Sequence, residues 1–481
     1  MSNSNIVISN FFWRLAERSG AQIVSLIVSI VLARILAPEV FGMLALVMVF
    51  TNILQVFVDS GLATALIQKK DADELDFSSV FFFNFGMCLI LYLIVFLSAP
   101  YIADFYDMPE LTSVIRVLCL IIVISGIKNI QQAYVSRNLI FKRFFYSTLG
   151  GTIGAAVLGV FMAYKGYGVW ALVAQYLFNT TVGTLILWIT VKWRPSFVFS
   201  WSRLKALLSF GYKLLGVSIL STGYRELRSI LIGKLYAPSE LAFYNRGQQF
   251  PQLIALNIDS AIDSVLLPTM SQKQDNPDII KNMARLSIRI GTYVLMPLMI
   301  GLAACAAPIV EIILTDKWLP CVPFMQLLCF SNCFFSVFTA NYNISKSLGR
   351  SDIYLKTTIW TSTIGIIVLL ATMWLDVFWI AVGMTIASIV SLPICIYPSK
   401  KLCGYTFREQ LVDIMPNLLI SLLTGLCMYP LTLVDQMPTS LILACQLFIG
   451  VIVFIGLSMI TQNRSYIYLR GRYFMMKTTF K

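Results

Sequence analysis

Apolar runs long enough to cross a bilayer recur along nearly the whole chain, and this repetition limits the fold more than any other feature. A span needs about 20 mostly apolar residues. Fourteen such runs can be read, roughly at 12–36, 40–66, 78–103, 111–134, 146–164, 169–190, 207–233, 241–267, 284–310, 322–344, 356–375, 378–399, 411–434 and 440–460. Of the 481 residues, 58% are hydrophobic and only 12% are charged, about half the charged share of a soluble domain, roughly 25%. Lipid offers no partner to an open backbone N–H or C=O, so each run must be a helix. The expected fold is all-α and polytopic, with about 14 transmembrane helices. The connections are too short to hold a soluble catalytic domain. The run that begins at Ala21 lacks a small-x-small cleavage pattern and is read as a retained first helix.

An even number of spans puts both termini on one side. Basic residues gather in alternate connections: Lys69, Lys70, Arg137, Lys142, Arg143, Lys192, Arg194, Lys400 and Lys401 fall on one side, with Arg470 and Arg472 in the tail. The other side holds little beyond Arg34, Lys165, Lys234 and Lys317. By the positive-inside rule the termini of this multi-pass protein are cytoplasmic. The net charge of +13 then follows from topology and attraction to anionic membrane lipid, without nucleic acid. In the connection 192–206, Trp193, Phe197, Phe199 and Trp201 stand among basic residues, which reads as an interfacial segment.

The sequence also repeats itself. At an offset of 200, Ala33-Arg34-Ile35-Leu36-Ala37-Pro38 matches Gly233-Lys234-Leu235-Tyr236-Ala237-Pro238, Asn52 matches Gln252, and Val58-Asp59-Ser60 matches Ile258-Asp259-Ser260. Near an offset of 208, Ala99-Pro100 matches Ala307-Pro308. Two similar six-helix lobes are expected, 1–206 and 207–408, around a central cavity, with two extra C-terminal helices and the tail in 409–481. Two like halves around a cavity are a transporter arrangement, although duplication also builds scaffolds.

Ionisable groups in a span cost about 2.5–3.5 kcal/mol on insertion scales and persist where they face a cavity or each other. Here they concentrate in the first pair of spans of each half. The first span carries Arg14, Arg18, Gln22, Ser25 and Ser29 on one face, with Glu17 beside them. The second carries Asn52, Gln55 and Asp59; the seventh, Ser218, Ser221, Thr222, Arg225 and Arg228, with Glu226 adjacent. The eighth carries Arg246, Gln249, Gln252, Asp259 and Asp263. Steps of three and four residues place each set on one helix face, in the eighth span only the last four of the five. Guanidinium binds phosphate in bidentate forks and stays charged at any depth. Arg14, Arg18, Arg225, Arg228 and Arg246 therefore suit an anionic, phosphate-bearing substrate, with the amides Asn52, Gln55, Gln249 and Gln252 beside them as further polar contacts. Glu17, Asp59, Glu226, Asp259 and Asp263 would neutralise the arginines or take up H+ or Na+. The bland alternative is an ion-paired network that locks helices together, or arginines that snorkel to the interface. Arg116 in the fourth span fits neither pattern.

Other signals are weaker. The chain has no His, so any proton relay would fall to carboxylates. Its ten cysteines form no C-x-x-C and read as small buried hydrophobes. Asp71-Ala72-Asp73 has a D-x-D spacing but reads as a solvated acidic turn. There is no ATP-binding glycine loop, and no cofactor or metal is expected. Gly150 and Gly154 suggest close helix packing.

Short motifs in a fixed order carry a resemblance. They are Leu32-Ala33-Arg34-Ile35-Leu36-Ala37-Pro38-Glu39-Val40-Phe41-Gly42, Gly61-Leu62-Ala63-Thr64-Ala65-Leu66-Ile67-Gln68, Arg137 with Phe141-Lys142, and Gly168-Val169-Trp170-Ala171-Leu172-Val173. Trp193-Arg194-Pro195, Phe210-Gly211, Ala242-Phe243-Tyr244, Leu267-Pro268, Trp318 and Gly349-Arg350 continue the series. Over about the first 350 residues the chain resembles the polysaccharide transporter (oligosaccharide flippase) branch of the multidrug/oligosaccharidyl-lipid/polysaccharide exporter superfamily, colanic acid exporter type. The resemblance implies a 14-helix, two-lobed fold that flips a polyprenyl-diphosphate-linked oligosaccharide for exopolysaccharide, capsule or O-antigen synthesis. It also implies that Arg14, Arg18 and Arg246 stand on the helices that grip the diphosphate in related flippases. On the second helix this sequence has Asp59 where those relatives have an arginine, so that part does not carry over. Contact with polysaccharide polymerase machinery stays open. Rival readings are a drug or metabolite antiporter of the same superfamily, a membrane polymerase or ligase, and a scaffold.

Overall fold

The fold is known from a computed structural model. It describes residues 3–479 apart from 60, 70, 139 and 434–436; the side chains of 3–12, 14–16, 18, 206, 209–214, 217 and 472–479 lie outside the described residues. The described chain is all-helical, without strands. It begins with α1 (Asn3–Ile35), α2 (Pro38–Asp59), the short α3 (Leu62–Gln68), α4 (Glu74–Phe105), α5 (Leu111–Leu118), α6 (Leu120–Arg137), α7 (Lys142–Tyr164) and α8 (Val169–Thr190). It continues with α9 (Trp201–Leu235), α10 (Pro238–Ser271), α11 (Pro277–Ala304), α12 (Ala306–Ile313), α13 (Val322–Asn332), α14 (Phe335–Ser347), α15 (Ser351–Thr372) and α16 (Val377–Cys403). It ends with α17 (Phe407–Met428), α18 (Thr439–Ile460) and α19 (Arg464–Thr479).

Among the described residues, 12 stretches are long and apolar enough to cross a bilayer. Two of the expected fourteen spans are outside that set. α9 is 35 residues long, but 206, 209–214 and 217, within its apolar part, are among the residues whose side chains are not described. In α1 the described apolar part is the shorter Ser19–Ile35.

The repeat seen in the sequence is also a repeat of elements. α1 ends at Ile35 and α9 at Leu235; α2 opens at Pro38 and α10 at Pro238. Proline suits a first helical turn, where its missing N–H would have no partner anyway. Further on, the split pair α5 and α6 is echoed by the split pair α13 and α14, and α7 and α8 by α15 and α16.

Helix packing divides the chain into two compact units, Met1–Ala242 and Phe243–Lys481. In the first, α7 packs on α8 and α1, α4 on α6, and α2 on α9. In the second, α11 packs on α17, α13 and α14; α15 packs on α16, and α17 on α18. Gly150, Gly151 and Gly154 give α7 and α8 their close approach. A methyl on Gly151 would come within 2.7 Å of the Asn179 carbonyl oxygen. The GxxxG thus serves contact inside one unit.

Local caps account for residues left over from the sequence. Asp73 caps α4 by accepting from the Asp76 N–H at 3.0 Å. The Arg203 guanidinium bonded to Asp73 holds its carboxyl down at about 2. Arg116 donates from Nε to the Phe96 carbonyl at 3.2 Å and lies 4.4 Å from the Phe96 ring centroid, tying α5 to α4. Trp193 stacks on Tyr134 at 6.0 Å, while Phe197 is fully exposed.

Gly42 allows the closest backbone approach in the first unit. A Cβ there would stand 1.8 Å from the Pro238 carbonyl oxygen, so backbone would have to move. Gly42→Ala is expected to destabilise the protein by roughly 1–3 kcal/mol. Thermal unfolding of the detergent-purified variant checks this; an unchanged midpoint would refute the contact.

Candidate functional site

The polar stripes of α2 and α9 face one another across a cavity of about 670 Å³ in the first unit. Asn52, Gln55, Val56 and Asp59 line it from α2, Gly61 and Thr64 from the turn into α3, and Ser218, Ser221, Thr222, Arg225 and Glu226 from α9. Spacing explains why these residues share a wall: steps of three and four stay on one face, and the apolar remainder of each helix packs on its neighbours.

Two small networks order the lining. Glu226 is buried; its Oε1 accepts from Asn52 Nδ2 at 3.1 Å and lies 3.5 Å from Arg225 Nε. The Arg225 side chain is 62% exposed, so its guanidinium remains available to a ligand. Its Nη2 also reaches Thr222 Oγ1 at 3.4 Å. Gln55 Nε2 donates to Asp59 Oδ1 at 3.4 Å. The cavity therefore presents a guanidinium, two carboxylates, an amide pair and several hydroxyls: donors for phosphate oxygens and mixed partners for sugar hydroxyls.

The other sequence-derived residues stand elsewhere. Glu17 is buried where α1 meets α7 and accepts from Thr148 Oγ1 at 2.9 Å. Arg228 is half-buried one turn beyond Arg225. The side chains of Arg14 and Arg18 lie outside the described residues. In the second unit, Arg246 is buried, donates to Gln249 Oε1 at 2.6 Å, and stacks 5.0 Å from the centre of the Trp318 ring. Gln252 is half-buried. Asp259 accepts from Thr339 Oγ1, and Asp263 lies close enough to act on it electrostatically. Thirteen residues separate Arg246 from Asp259, about 20 Å along a helix, so α10 carries its arginine and its carboxylates at well-separated depths.

Two charged features were missed from sequence. Lys128 sits inside the apolar run of α6; its Nζ lies 3.1 Å from where a Cβ on Gly183 would stand, and it is electrostatically coupled to Glu17. A lysine within an apolar run was the available signal. Asp413 of α17 joins Arg285 and Arg289 of α11, at 2.7 Å from each Nε. The spacing of four between the arginines was legible, but their partner was not.

With this geometry described, comparison with known proteins places the chain. The family described as polysaccharide biosynthesis protein matches residues 31–323. The chain belongs to this family. Among curated relatives, the succinoglycan biosynthesis transport protein ExoT of Rhizobium meliloti is 27% identical over 68% of this chain and 67% of its own length. The teichuronic acid biosynthesis protein TuaB of Bacillus subtilis is 26% identical over 62% of each chain. The lipopolysaccharide biosynthesis protein WzxC of Escherichia coli is 23% identical over 84% of this chain and 83% of its own. Among solved structures, the lipid II flippase MurJ superposes with a TM-score of 0.77 at 14% identity, over 94% of this chain and 98% of that one. A multidrug resistance MATE family transporter of the MOP superfamily follows with a TM-score of 0.59 at 16% identity, over 79% and 95%. At these identities the likeness is one of fold: this polysaccharide biosynthesis protein has the helical fold of membrane transporters.

Proposed function

We propose that this protein carries a polyprenyl-diphosphate-linked oligosaccharide repeat unit across the bacterial inner membrane, for exopolysaccharide, capsule or O-antigen synthesis. The observation that supports this best is the polar cavity between α2 and α9, set among apolar helices in a chain of the polysaccharide biosynthesis family. The relatives named for succinoglycan transport and lipopolysaccharide biosynthesis favour the same class of cargo.

In this reading Arg225 takes the diphosphate, because its guanidinium is exposed to the cavity beside a fixed carboxylate. Asn52, Gln55 and the α9 hydroxyls meet the sugars. Asp59 and Glu226 tune the arginine or take up H+ or Na+ as the carrier alternates its access under an ion gradient or the membrane potential. Arg246, buried against Trp318, is assigned a positioning role. No covalent bond is broken. Repeat halves at 1–206 and 207–408, an appended 409–481, and cytoplasmic termini complete the proposal, the last on the basic bias of alternate connections.

A drug or metabolite antiporter is the second reading. One observation favours it: the described lining sets two carboxylates against one arginine, a balance suited to a cation. Proteoliposomes loaded with inner-leaflet lipid-diphosphate oligosaccharide separate the two readings. Exposure of the sugar to an external glycosidase should be faster with protein than in empty liposomes. Equal rates, with substrate confirmed in the membrane, would reject the flippase in favour of the antiporter.

A further inference from the structure

In the second unit, α11, α17, the turn that follows α18 and the start of α19 line another polar cavity, of about 270 Å³. Arg289, Asp413 and Asn417 line it, with Gln462, Asn463 and Arg464 from the turn into α19. Its charges do not balance. Asp413 is the shared acceptor of Arg285 and Arg289, so one carboxylate serves two cations. The neighbouring Glu409 is held by Lys281 at 2.7 Å. Arg464, exposed at the mouth, adds a second positive charge. An uncompensated charge within a spanning helix is costly, so the site calls for an anion. The Arg289 guanidinium uses Nε and Nη2 on Asp413; its Nη1 has no protein acceptor among the described residues.

The walls are fixed in place. Asn463 Nδ2 donates to Asn417 Oδ1 at 2.9 Å. Asn417 in turn donates to Thr292 Oγ1 at 2.8 Å and to the Arg289 carbonyl at 3.0 Å. The helices that lead to the pocket also carry apolar surface. Val412, which lines it, and Met415 and Leu419 of α17, with Ile455, Met459 and Ile460 of α18, are all exposed. A free phosphate would meet only the first surface, whereas an amphiphile with a phosphate head and acyl tails meets both.

We propose that this cavity is a headgroup site for an anionic membrane phospholipid, of the phosphatidylglycerol type. The phosphate takes Arg289 Nη1 and Arg464, the glycerol hydroxyls face Asn417, Gln462 and Asn463, and the acyl chains lie along α17 and α18. Basic pockets between membrane helices recognise anionic headgroups in this way. The site is independent of what the protein transports.

Native mass spectrometry of the delipidated, full-length protein tests it, with phosphatidylglycerol and phosphatidylcholine titrated separately. The wild type should bind one phosphatidylglycerol with roughly a tenfold preference, as expected for hydrogen bonds to charged groups. Arg289→Gln and Arg464→Gln should each lose most of that preference while binding phosphatidylcholine as before. Both variants should fold, since Asp413 keeps Arg285 and Arg464 is at the surface. Equal binding of the two lipids by the wild type would overturn the proposal, as would preference retained in both variants. Stabilisation by millimolar inorganic phosphate equal to that by the lipid would also overturn it, since the occupant would then be a free anion.

Discussion

Asp413→Ala should lower the stability of the protein by roughly 3–5 kcal/mol, the usual result of removing one partner from a buried ion pair. The Asp413 side chain is 1% exposed. Its carboxylate accepts from Arg285 Nε at 2.7 Å, from Arg289 Nε at 2.7 Å and from the Tyr405 hydroxyl at 2.8 Å. Removing it leaves two guanidiniums facing one another and orphans a buried hydroxyl. The arginine side chains are 28% and 21% exposed, so solvent relieves part of the repulsion and the lower end of the range is expected. Asp413→Asn keeps the shape and an acceptor oxygen but no charge, so it should fall between wild type and Ala. Adding Arg289→Met to Asp413→Ala should recover stability, because it removes one of the stranded charges. Thermal unfolding in detergent, followed by tryptophan fluorescence, measures all three. A midpoint for Asp413→Ala within experimental scatter of wild type would show that the triad does not hold α11 to α17.

Arg225→Ala should slow oligosaccharide flipping by about tenfold to a hundredfold. Hydrogen bonds to charged groups contribute roughly 1.5–3 kcal/mol, and about 1.4 kcal/mol is a factor of ten. Stability should change little, because Arg225 is exposed and its pairing with Glu226 is loose at 3.5 Å; exposed pairs are worth about 0–1 kcal/mol. Arg225→Lys keeps the charge without the planar fork and should retain an intermediate rate. The glycosidase-exposure assay gives the rate, and the unfolding midpoint shows that the variant is intact. Full flipping by Arg225→Ala would remove Arg225 from the substrate path.

Much of this architecture was legible in the residues. Helix positions followed from the length of apolar runs, since a bilayer allows few other solutions. The turns before Pro38 and Pro238 followed from the repeat at an offset of 200. The stripe Asn52, Gln55, Asp59 and the α9 stripe from Ser218 to Arg225 line one cavity because helical spacing fixes the face, whereas Arg228 of the same stripe is not among the lining residues. A stripe does not say what covers it. Arg246 and Gln249 form an equally regular step, yet the arginine lies under Trp318, a partner 72 positions away. The triad around Asp413 was hidden for the same reason: its members are 124 and 128 residues apart, and only folding brings them together. Lys128 was overlooked because the lysine stands singly, without a polar stripe.

α18 has a further consequence for how the protein responds to its surroundings. It is a helix of 22 residues, about 33 Å long at 1.5 Å per residue, and only Gln446, Gly450 and Ser458 of it are buried in the protein. Its apolar length is close to that of an average hydrocarbon layer, roughly 30 Å. With little protein surface to hold it, α18 must follow the lipid, tilting where the layer is thin and drawing lipid to it where the layer is thick. Mismatch costs fractions of a kcal/mol per ångström, and on such a helix that strain passes to α17, its packing neighbour. The last helix pair therefore makes the second unit sensitive to bilayer thickness.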